Sequence, residues 1–256
     1  ALQINLRDQE YFKRISEKKI NAIAFEFIVD EYKQLSLVRL IGEIAGNISV
    51  LYAAELLALS NGLMLGGITG VRPTEVVILG AGIVGEFATK AALGLGASVK
   101  VFDNSISKLR RLQNDIGQRI FTSVIQPKLL EKAIMRADVV IGAVRAPFGR
   151  TPCIVTEEMV KGMKAGSVIV DVSIDQGGCF ETSKVTSHAE PTFTIYDVTH
   201  YCVPNIPSRV SRTASHAFSN ILTPILLRCG ELSGIKNLIY DDGGIRNGIY
   251  LYKGNL

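Results

Sequence analysis

The feature that most constrains this chain is a run of apolar residues that leads through three glycines into a helical pattern. The stretch reads VVILGAGIVGEFATK at residues 76–90, and its centre, GAGIVG at residues 80–85, has the spacing G-x-G-x-x-G. The first glycine permits a tight turn, the second lets the backbone approach a pyrophosphate, and the third lets a helix pack close to the strand. The spacing therefore predicts a strand, a phosphate-binding turn and a helix, with a purely structural glycine turn as the alternative.

From residue 76 onward, short apolar runs alternate with helical patterns, which predicts parallel strands covered by helices on both faces. Right-handed crossovers between such strands give an α/β fold with a doubly wound parallel sheet of the Rossmann type. Before this region we predict a buried strand at residues 21–29 and an apolar linker helix at residues 43–59, and after it an irregular tail. The other strands are predicted at residues 76–80, 98–103, 119–124, 138–144, 167–173 and 199–205, and the other helices at residues 84–95, 107–116, 127–136, 156–163 and 213–228.

The predicted strand after the glycine turn ends at an acidic residue, Asp103. A carboxylate at this place can bind the two ribose hydroxyls of NAD, and it would repel the 2′-phosphate of NADP. Asp103, Asn104 and Ser105 also precede a helix, so a helix cap is the alternative interpretation. Lys108 lies close behind and is either a contact to the adenosine or a solvated lysine. We interpret the region as an NAD-binding Rossmann domain.

A second stretch, GSVIVDVSIDQGGCFETS at residues 166–183, places a polar sequence directly after a buried strand. Ligands of an open parallel sheet bind beyond the carboxyl ends of the strands, so Asp175 is expected near the nicotinamide. The two glycines that follow it allow the chain to turn tightly around a ligand. The Asp-Gln-Gly-Gly sequence is also good turn chemistry, and the residues alone leave the two interpretations open.

Charge and composition argue against several other classes of protein. The net charge of +4 is spread along the chain without a basic block, which argues against a nucleic-acid-binding protein. No apolar run approaches the length of a membrane span, and no secretory signal is visible. The four cysteines are widely spaced without a C-x-x-C pair, so we expect no metal site and free thiols in a reducing cytoplasm. The first residue is alanine rather than methionine, which fits a start inside a longer chain.

These segments, together with ADVVIGAV at residues 137–144 and HYCVPNIPSRVSRT at residues 200–213, closely resemble the alanine dehydrogenase family. The same family includes the nucleotide-binding part of nicotinamide nucleotide transhydrogenase, but the IDQGG form resembles alanine dehydrogenase. The resemblance implies a homo-oligomer, a hexamer in this family, that binds NAD and a small amino acid or 2-oxo acid, without nucleic-acid or membrane partners. The residues that the resemblance assigns to the cofactor are Gly80, Gly82, Ile83, Val84, Gly85, Asp103, Lys108, Val144, Arg145, Val172, Ser173, Ile174, Asp175, Val203, Pro204, Asn205 and Ile206.

The reaction that the resemblance implies is the oxidative deamination of L-alanine to pyruvate and ammonia with NAD, together with the reverse reductive amination. Asp175 matches a catalytic aspartate of the family. The arginine, lysine and histidine that complete the family's site come from an N-terminal substrate lobe that we do not find. The histidines of this chain match none of the catalytic ones, and His200 is expected to be structural. We expect residues 1–41 to be the tail end of the substrate lobe, residues 42–210 to be the NAD-binding domain, and residues 211–256 to be a C-terminal helix and return segment, so that remnants of a second domain accompany the first.

Four residues depart from the family pattern, and one of them is Pro204, which stands in the nicotinamide loop where small residues are common. Gly42 stands where the family usually has a serine that contacts the cofactor. Arg145 and Arg209 stand where apolar or small residues are usual, and they either replace missing cations or mark a changed substrate. Two alternative functions therefore stay open: a transhydrogenase-like subunit that passes hydride between two nucleotides, and a non-catalytic NAD-binding module.

Overall fold

The chain divides into two compact units, which are described separately. A computed structural model describes residues 9–146 and 149–255, so the predicted segments 1–41 and 211–256 lie partly outside the described residues. One unit is formed by residues 42–209, and the other by the segments on either side of it. The strands are β1 (Ala22–Ile23), β2 (Glu75–Leu79), β3 (Ser98–Phe102), β4 (Phe121–Ser123), β5 (Val139–Gly142), β6 (Val168–Asp171), β7 (Thr192–Ile195), β8 (Val198–Tyr201) and β9 (Ile249–Leu251). The helices are α1 (Gln9–Glu17), α2 (Ser36–Asn61), α3 (Ile83–Gly94), α4 (Ile106–Ile116), α5 (Pro127–Arg136), α6 (Glu157–Lys161), α7 (Ser211–Glu231), α8 (Ile235–Asp241) and α9 (Gly243–Arg246).

Strands β2 to β8 form one sheet in the unit of residues 42–209. Its order is β4-β3-β2-β5-β6-β8-β7, and every neighbouring pair is parallel except β7 and β8. Every residue of β2, β5 and β6 is buried, as expected for central parallel strands that are covered on both faces. The predicted α/β fold with a doubly wound parallel sheet is confirmed.

The chain changes direction across the sheet between β2 and β5. Strands β3 and β4 follow β2 on one side, whereas β5, β6 and β8 lie on its other side. The connection that leaves β2 therefore runs toward β3, whereas the one that leaves β5 runs toward β6, and in open parallel sheets this divergence leaves a crevice at the carboxyl ends of the strands. Open parallel sheets bind their ligands in this crevice.

The prediction of a strand at residues 21–29 is wrong beyond its first residues. Only Ala22–Ile23 forms a strand, which pairs with β9, and Phe25–Phe27 forms a 3₁₀ turn in which the Phe27 N–H donates to the Ala24 carbonyl at 3.1 Å. Because β9 is only three residues long, the later N–H groups of the run bond elsewhere: those of Phe27 and Ile28 donate to carbonyls of the run itself, and that of Val29 donates to the Gly244 carbonyl at 3.3 Å.

Other elements differ in extent from the sequence-based prediction. Helix α2 begins at Ser36 rather than Glu43, and α7 spans residues 211–231 rather than 213–228. Strand β7 was not predicted, and the tail expected to be irregular contains α8, α9 and β9. Within that second unit, Arg228 on α7 forms ion pairs with Asp241 and Asp242.

Helix α2 packs against α3 in the unit of residues 42–209 through a glycine. A methyl group at Gly46 would lie 2.5 Å from the carbonyl oxygen of Val84 and 2.9 Å from the amide nitrogen of Ala88, so no larger residue fits without a shift. By length and composition α2 could cross a membrane, but 44% of its most apolar stretch is buried within the protein. A buried core helix meets the same criterion.

We expect Gly46→Ala to lower the free energy of unfolding by about 1–3 kcal/mol, because the added methyl group forces α2 and α3 apart. Gly94→Ala is the matched control, since a methyl group at Gly94 on α3 meets no atom within 4 Å. That substitution is expected to raise the free energy of unfolding by about 0.5–1 kcal/mol through helix propensity. Urea unfolding of both variants measures the difference, and equal midpoints would contradict the close contact.

Candidate functional site

Two of the three glycines in the turn between β2 and α3 are required by the protein itself. Gly80 has a φ of +105°, and a methyl group there would lie 2.5 Å from the Ala143 carbonyl oxygen. A methyl group at Gly85 would lie 1.9 Å from the carbonyl oxygen of Gly80, which is closer than any two such atoms can approach. Both glycines thus hold the amino end of α3 close to β2 and to the loop after β5.

The middle glycine has no such explanation within the protein. Gly82 has a φ of −78°, which any residue adopts, and a methyl group there would meet no atom within 4 Å. It is the residue that directly precedes α3, where the first N–H groups of a helix point outward and attract anions. The space above Gly82 is therefore suited to a phosphate group that approaches the backbone.

Asp103 connects the end of β3 to this turn. Its Oδ2 accepts a hydrogen bond from the Ala81 N–H at 2.8 Å, and its Oδ1 accepts one from the Ser105 N–H at 2.7 Å. The side chain that caps α4 is that of Ser105, which accepts from the Lys108 N–H, so Asp103 does not serve as the N-cap. A carboxylate has about four acceptor positions, and the two amides leave capacity for hydroxyl groups.

Arg111 on α4 holds the other side of the same peptide segment. Its Nη2 donates to the Ala81 carbonyl at 3.0 Å, so Asp103 and Arg111 together fix the residue at the centre of the turn. Sequence reasoning did not single out Arg111; its position one helical turn after Lys108 is the only signal. Gly42 on α2 is buried near this turn, and a methyl group there would lie 3.0 Å from Ile83 Cγ2.

The loops after β5 and β6 are joined by side-chain hydrogen bonds. Ser173 Oγ accepts from the Val144 N–H at 3.0 Å. The Gln176 side chain accepts from the Ala146 N–H at 3.2 Å and donates to the Ala146 carbonyl at 3.3 Å. Gln176 lies in the IDQGG segment, but sequence reasoning gave it no role.

Asp171 is the last residue of β6, and Asp175 lies in the segment that follows it. Asp171 is buried, and burial raises the pKa of its carboxyl group, while hydrogen bonds from Ser183 and from the amides of Cys179 and Ser173 oppose the shift. Asp175 is half-buried, and its Oδ1 accepts from the Asn205 N–H at 2.9 Å. Asp175 therefore joins the loop after β6 to the loop after β8.

The sequence-predicted site residues all follow strands at one edge of the sheet. Ser173, Ile174, Val203 and Ile206 are buried, whereas Arg145 and Asn205 are exposed. Because the carboxyl ends of parallel strands meet at one edge, the structure brings these loops together. They are the turn at residues 80–85 after β2, Asp103 and Lys108 after β3, Val144 and Arg145 after β5, Val172, Ser173, Ile174 and Asp175 after β6, and Val203, Pro204, Asn205 and Ile206 after β8.

His200 lies on β8, inside the protein. Its Nδ1 is 3.0 Å from the Val198 carbonyl and must donate to it, so Nε2 accepts from the Thr182 hydroxyl at 2.8 Å. The ring stacks on Phe193 with a centroid distance of 4.8 Å. Burial lowers the pKa of His200, which is therefore a neutral structural residue.

A doubly wound sheet with a glycine turn after β2, next to its switch point, and an acidic residue after the neighbouring β3 is typical of a dinucleotide-binding domain, and its residues fit NAD. The family model for the alanine dehydrogenase/PNT C-terminal domain matches residues 49–256. The chain belongs to this family, and the resemblance noted in the sequence is confirmed.

Individual relatives agree with the family assignment. Alanine dehydrogenase from Mycolicibacterium smegmatis is 40% identical over 92% of this chain and 64% of its own length. The enzyme from Halomonas elongata is 38% identical over 97% of this chain and 68% of its own length. The chain thus spans about two thirds of the length of these relatives.

Solved structures show the same fold. An L-alanine dehydrogenase has a TM-score of 0.90 and 37% identity, and the match covers 97% of this chain and 69% of that chain. A transhydrogenase from Sinorhizobium meliloti has a TM-score of 0.81 over 97% of this chain and 72% of that chain, but at 22% identity it supports the fold alone.

The burial of His200 predicts a pH dependence of stability. In the folded protein the pKa of His200 lies below 6.5, whereas the unfolded chain binds this proton near 6.5. The free energy of unfolding therefore falls as the pH drops below 6.5, by up to about 1.4 kcal/mol per pH unit. The variant His200→Gln lacks this proton and is expected to show a shallower decline in urea unfolding across the same pH series. Parallel curves for the two proteins would contradict the assignment.

Proposed function

We propose that this chain is the NAD-binding part of an alanine dehydrogenase, which oxidises L-alanine to pyruvate and ammonia and catalyses the reverse reductive amination. The observation that carries the proposal is Gly82, because neither its backbone conformation nor its packing requires a glycine, whereas a bound pyrophosphate does. Identities of 37–40% to alanine dehydrogenases, against 22% to a transhydrogenase, favour this activity over hydride exchange between two nucleotides.

In this proposal the turn at residues 80–85 and the first N–H groups of α3 hold the pyrophosphate of NAD. Asp103 binds the adenosine ribose, and its charge disfavours the 2′-phosphate of NADP. Lys108, which is exposed, lies beside the adenosine. NAD supplies the hydride acceptor when it is bound. The residues proposed around the nicotinamide are Val144, Arg145, Val172, Ser173, Ile174, Asp175, Val203, Pro204, Asn205 and Ile206.

Asp175 is the proposed proton-handling residue. The hydrogen bond from the Asn205 N–H orients its carboxylate at the carboxyl edge of the sheet. A carboxylate in this position can accept a hydrogen bond from water or from the substrate amine, and it can hold a proton while the imine of the substrate is hydrolysed. The hydrogen-bonded loops after β5, β6 and β8 support this role because they keep the carboxylate in one orientation.

The proposal extends to domain organisation and assembly. Residues 42–210 would be the NAD-binding domain, and residues 1–41 and 211–256 would belong to the substrate domain and to the segment that returns to it. We also propose a cytoplasmic homo-oligomer, a hexamer by family resemblance. The free cysteines support a reducing compartment, and exposed Leu51 and Leu59 on α2 support a subunit contact.

The binding step is tested by Gly82→Ala. The added methyl group occupies the space proposed for the pyrophosphate, so the dissociation constant for NADH is expected to rise at least about tenfold. The free energy of unfolding should change by less than about 0.5 kcal/mol, since the methyl group meets no protein atom. Gly94→Ala is the control and should bind NADH as the wild type does. Unchanged NADH fluorescence titrations for Gly82→Ala would remove the observation on which the proposal rests.

The catalytic step is tested by turnover of the intact protein with pyruvate, ammonium and NADH. Asp175→Asn keeps an acceptor for the Asn205 amide but removes the charge, so kcat should fall about 100-fold while NADH affinity changes little. NADH binding without turnover by the wild type would favour a non-catalytic NAD-binding module. Hydride exchange between two nucleotides, without alanine oxidation, would favour a transhydrogenase-like subunit.

A further inference from the structure

The loop that follows β8 is held at two points within the unit of residues 42–209. The first is the hydrogen bond from the Asn205 N–H to Asp175, at a residue with a φ of +53°. The second is Arg209, whose Nε donates to the hydroxyl oxygen of Tyr52 on α2 and whose guanidinium lies 4.8 Å from the centre of the Tyr52 ring. The residues between these points include Ile206, at the end of the segment proposed to surround the nicotinamide.

Tyr52 also contacts the strand from which the loop departs. The ring of Tyr201, the last residue of β8, stacks on Tyr52 with a centroid distance of 5.1 Å and an interplanar angle of 22°. Tyr201 is fully buried, which fixes the position of its ring. The Tyr52 ring on α2 therefore contacts both Tyr201, before the loop, and Arg209, near its end. Both ends of the segment between Tyr201 and Arg209 are thus held against the same side chain.

We propose that Arg209 is a positioning residue for the nicotinamide half of the cofactor, acting through Tyr52. This inference rests on the proposed function. A loop that is already ordered in the free protein loses little conformational entropy when the ligand binds, and a loop that is ordered only part of the time lowers the apparent affinity by that fraction. Tyr52 engages Nε and one face of the guanidinium, so the contact that Arg209 makes in this structure is to helix α2 and restrains the loop.

The test compares two ligands that share the adenosine and the pyrophosphate. NADH carries the nicotinamide, whereas ADP-ribose lacks it. In Arg209→Met the hydrogen bond and the cation–π contact are both lost, so the dissociation constant for NADH should rise about tenfold. That for ADP-ribose should change less than about twofold. Tyr52→Phe keeps the ring and loses the hydroxyl acceptor, and it should raise the NADH constant about threefold with ADP-ribose unchanged.

The control is Arg119→Met, because Arg119 is an exposed arginine between α4 and β4. Strand β4 is the outermost strand on the side of the sheet away from β8. The Arg119→Met variant should leave both constants unchanged. If Arg209→Met weakens the binding of NADH and of ADP-ribose equally, the residue has a general structural role. If it weakens the binding of neither, the contact with Tyr52 does not contribute to cofactor binding. Both results overturn the inference. A change confined to the KM for alanine would assign the guanidinium to the substrate and would overturn it as well.

The result distinguishes this inference from the proposed function. If the wild type binds neither ligand, the proposed function fails whatever the variants do. If the wild type binds both and Arg209→Met does not fold, Tyr52→Phe decides, because it removes one oxygen atom and leaves the stack on Tyr201 in place.

Discussion

The contact on which this domain depends is one between backbone atoms: the carbonyl oxygen of Gly80, the residue directly after β2, lies where any side chain at residue 85 would begin. It brings the first turn of α3 against the sheet with no side chain between them. Gly46 on α2 makes a similarly close approach to Val84 from another side. Helix α3 is thus positioned by peptide groups, which have no rotamers, and the direction in which its amino end points is correspondingly well defined.

The turn is also held by charged side chains, and this links two parts of the site. Asp103 accepts the Ala81 amide, and Arg111 donates to the Ala81 carbonyl. The carboxylate proposed to select the ribose is therefore also a support of the turn proposed to hold the pyrophosphate. If both proposed roles hold, recognition of the ribose and of the pyrophosphate is coupled through a single residue, and exchanging the acid would alter both.

Much of the fold could be predicted from the sequence, because the apolar runs and the glycine spacing in residues 76–171 agree with each other. The order of strands and helices, and the grouping of Asp103, Asp175 and Asn205 at one edge, follow from that pattern and from the rule for parallel sheets. The apolar pattern of residues 21–29 predicts a long strand, and this prediction is wrong because a strand needs a partner of similar length. The partner here, β9, has only three residues.

The rest could not be predicted because its signals are not local. Strand β7 joins β8 through a two-residue turn of Tyr196 and Asp197, both with positive φ. Such a turn is usually predicted from an Asn-Gly sequence, and this hairpin has Tyr-Asp instead. The contact between Tyr52 and Arg209 joins residues 157 positions apart, and no spacing rule connects them. The hydrogen bonds of Gln176 are non-local as well, because their partner is Ala146, which lies 30 positions earlier in the chain.

The shortness of the outermost strands has a consequence for solubility. Strand β4 has three residues and β7 has four, and these two form the rims of the sheet. Runs such as VVIL and VIVD, which would template fibres if their N–H and C=O groups were open, are enclosed by neighbours on both sides. A strand of another molecule could therefore pair only with the few N–H and C=O groups of β4 or β7. The folded domain thus resists aggregation by strand addition, even though its centre is rich in β-branched residues.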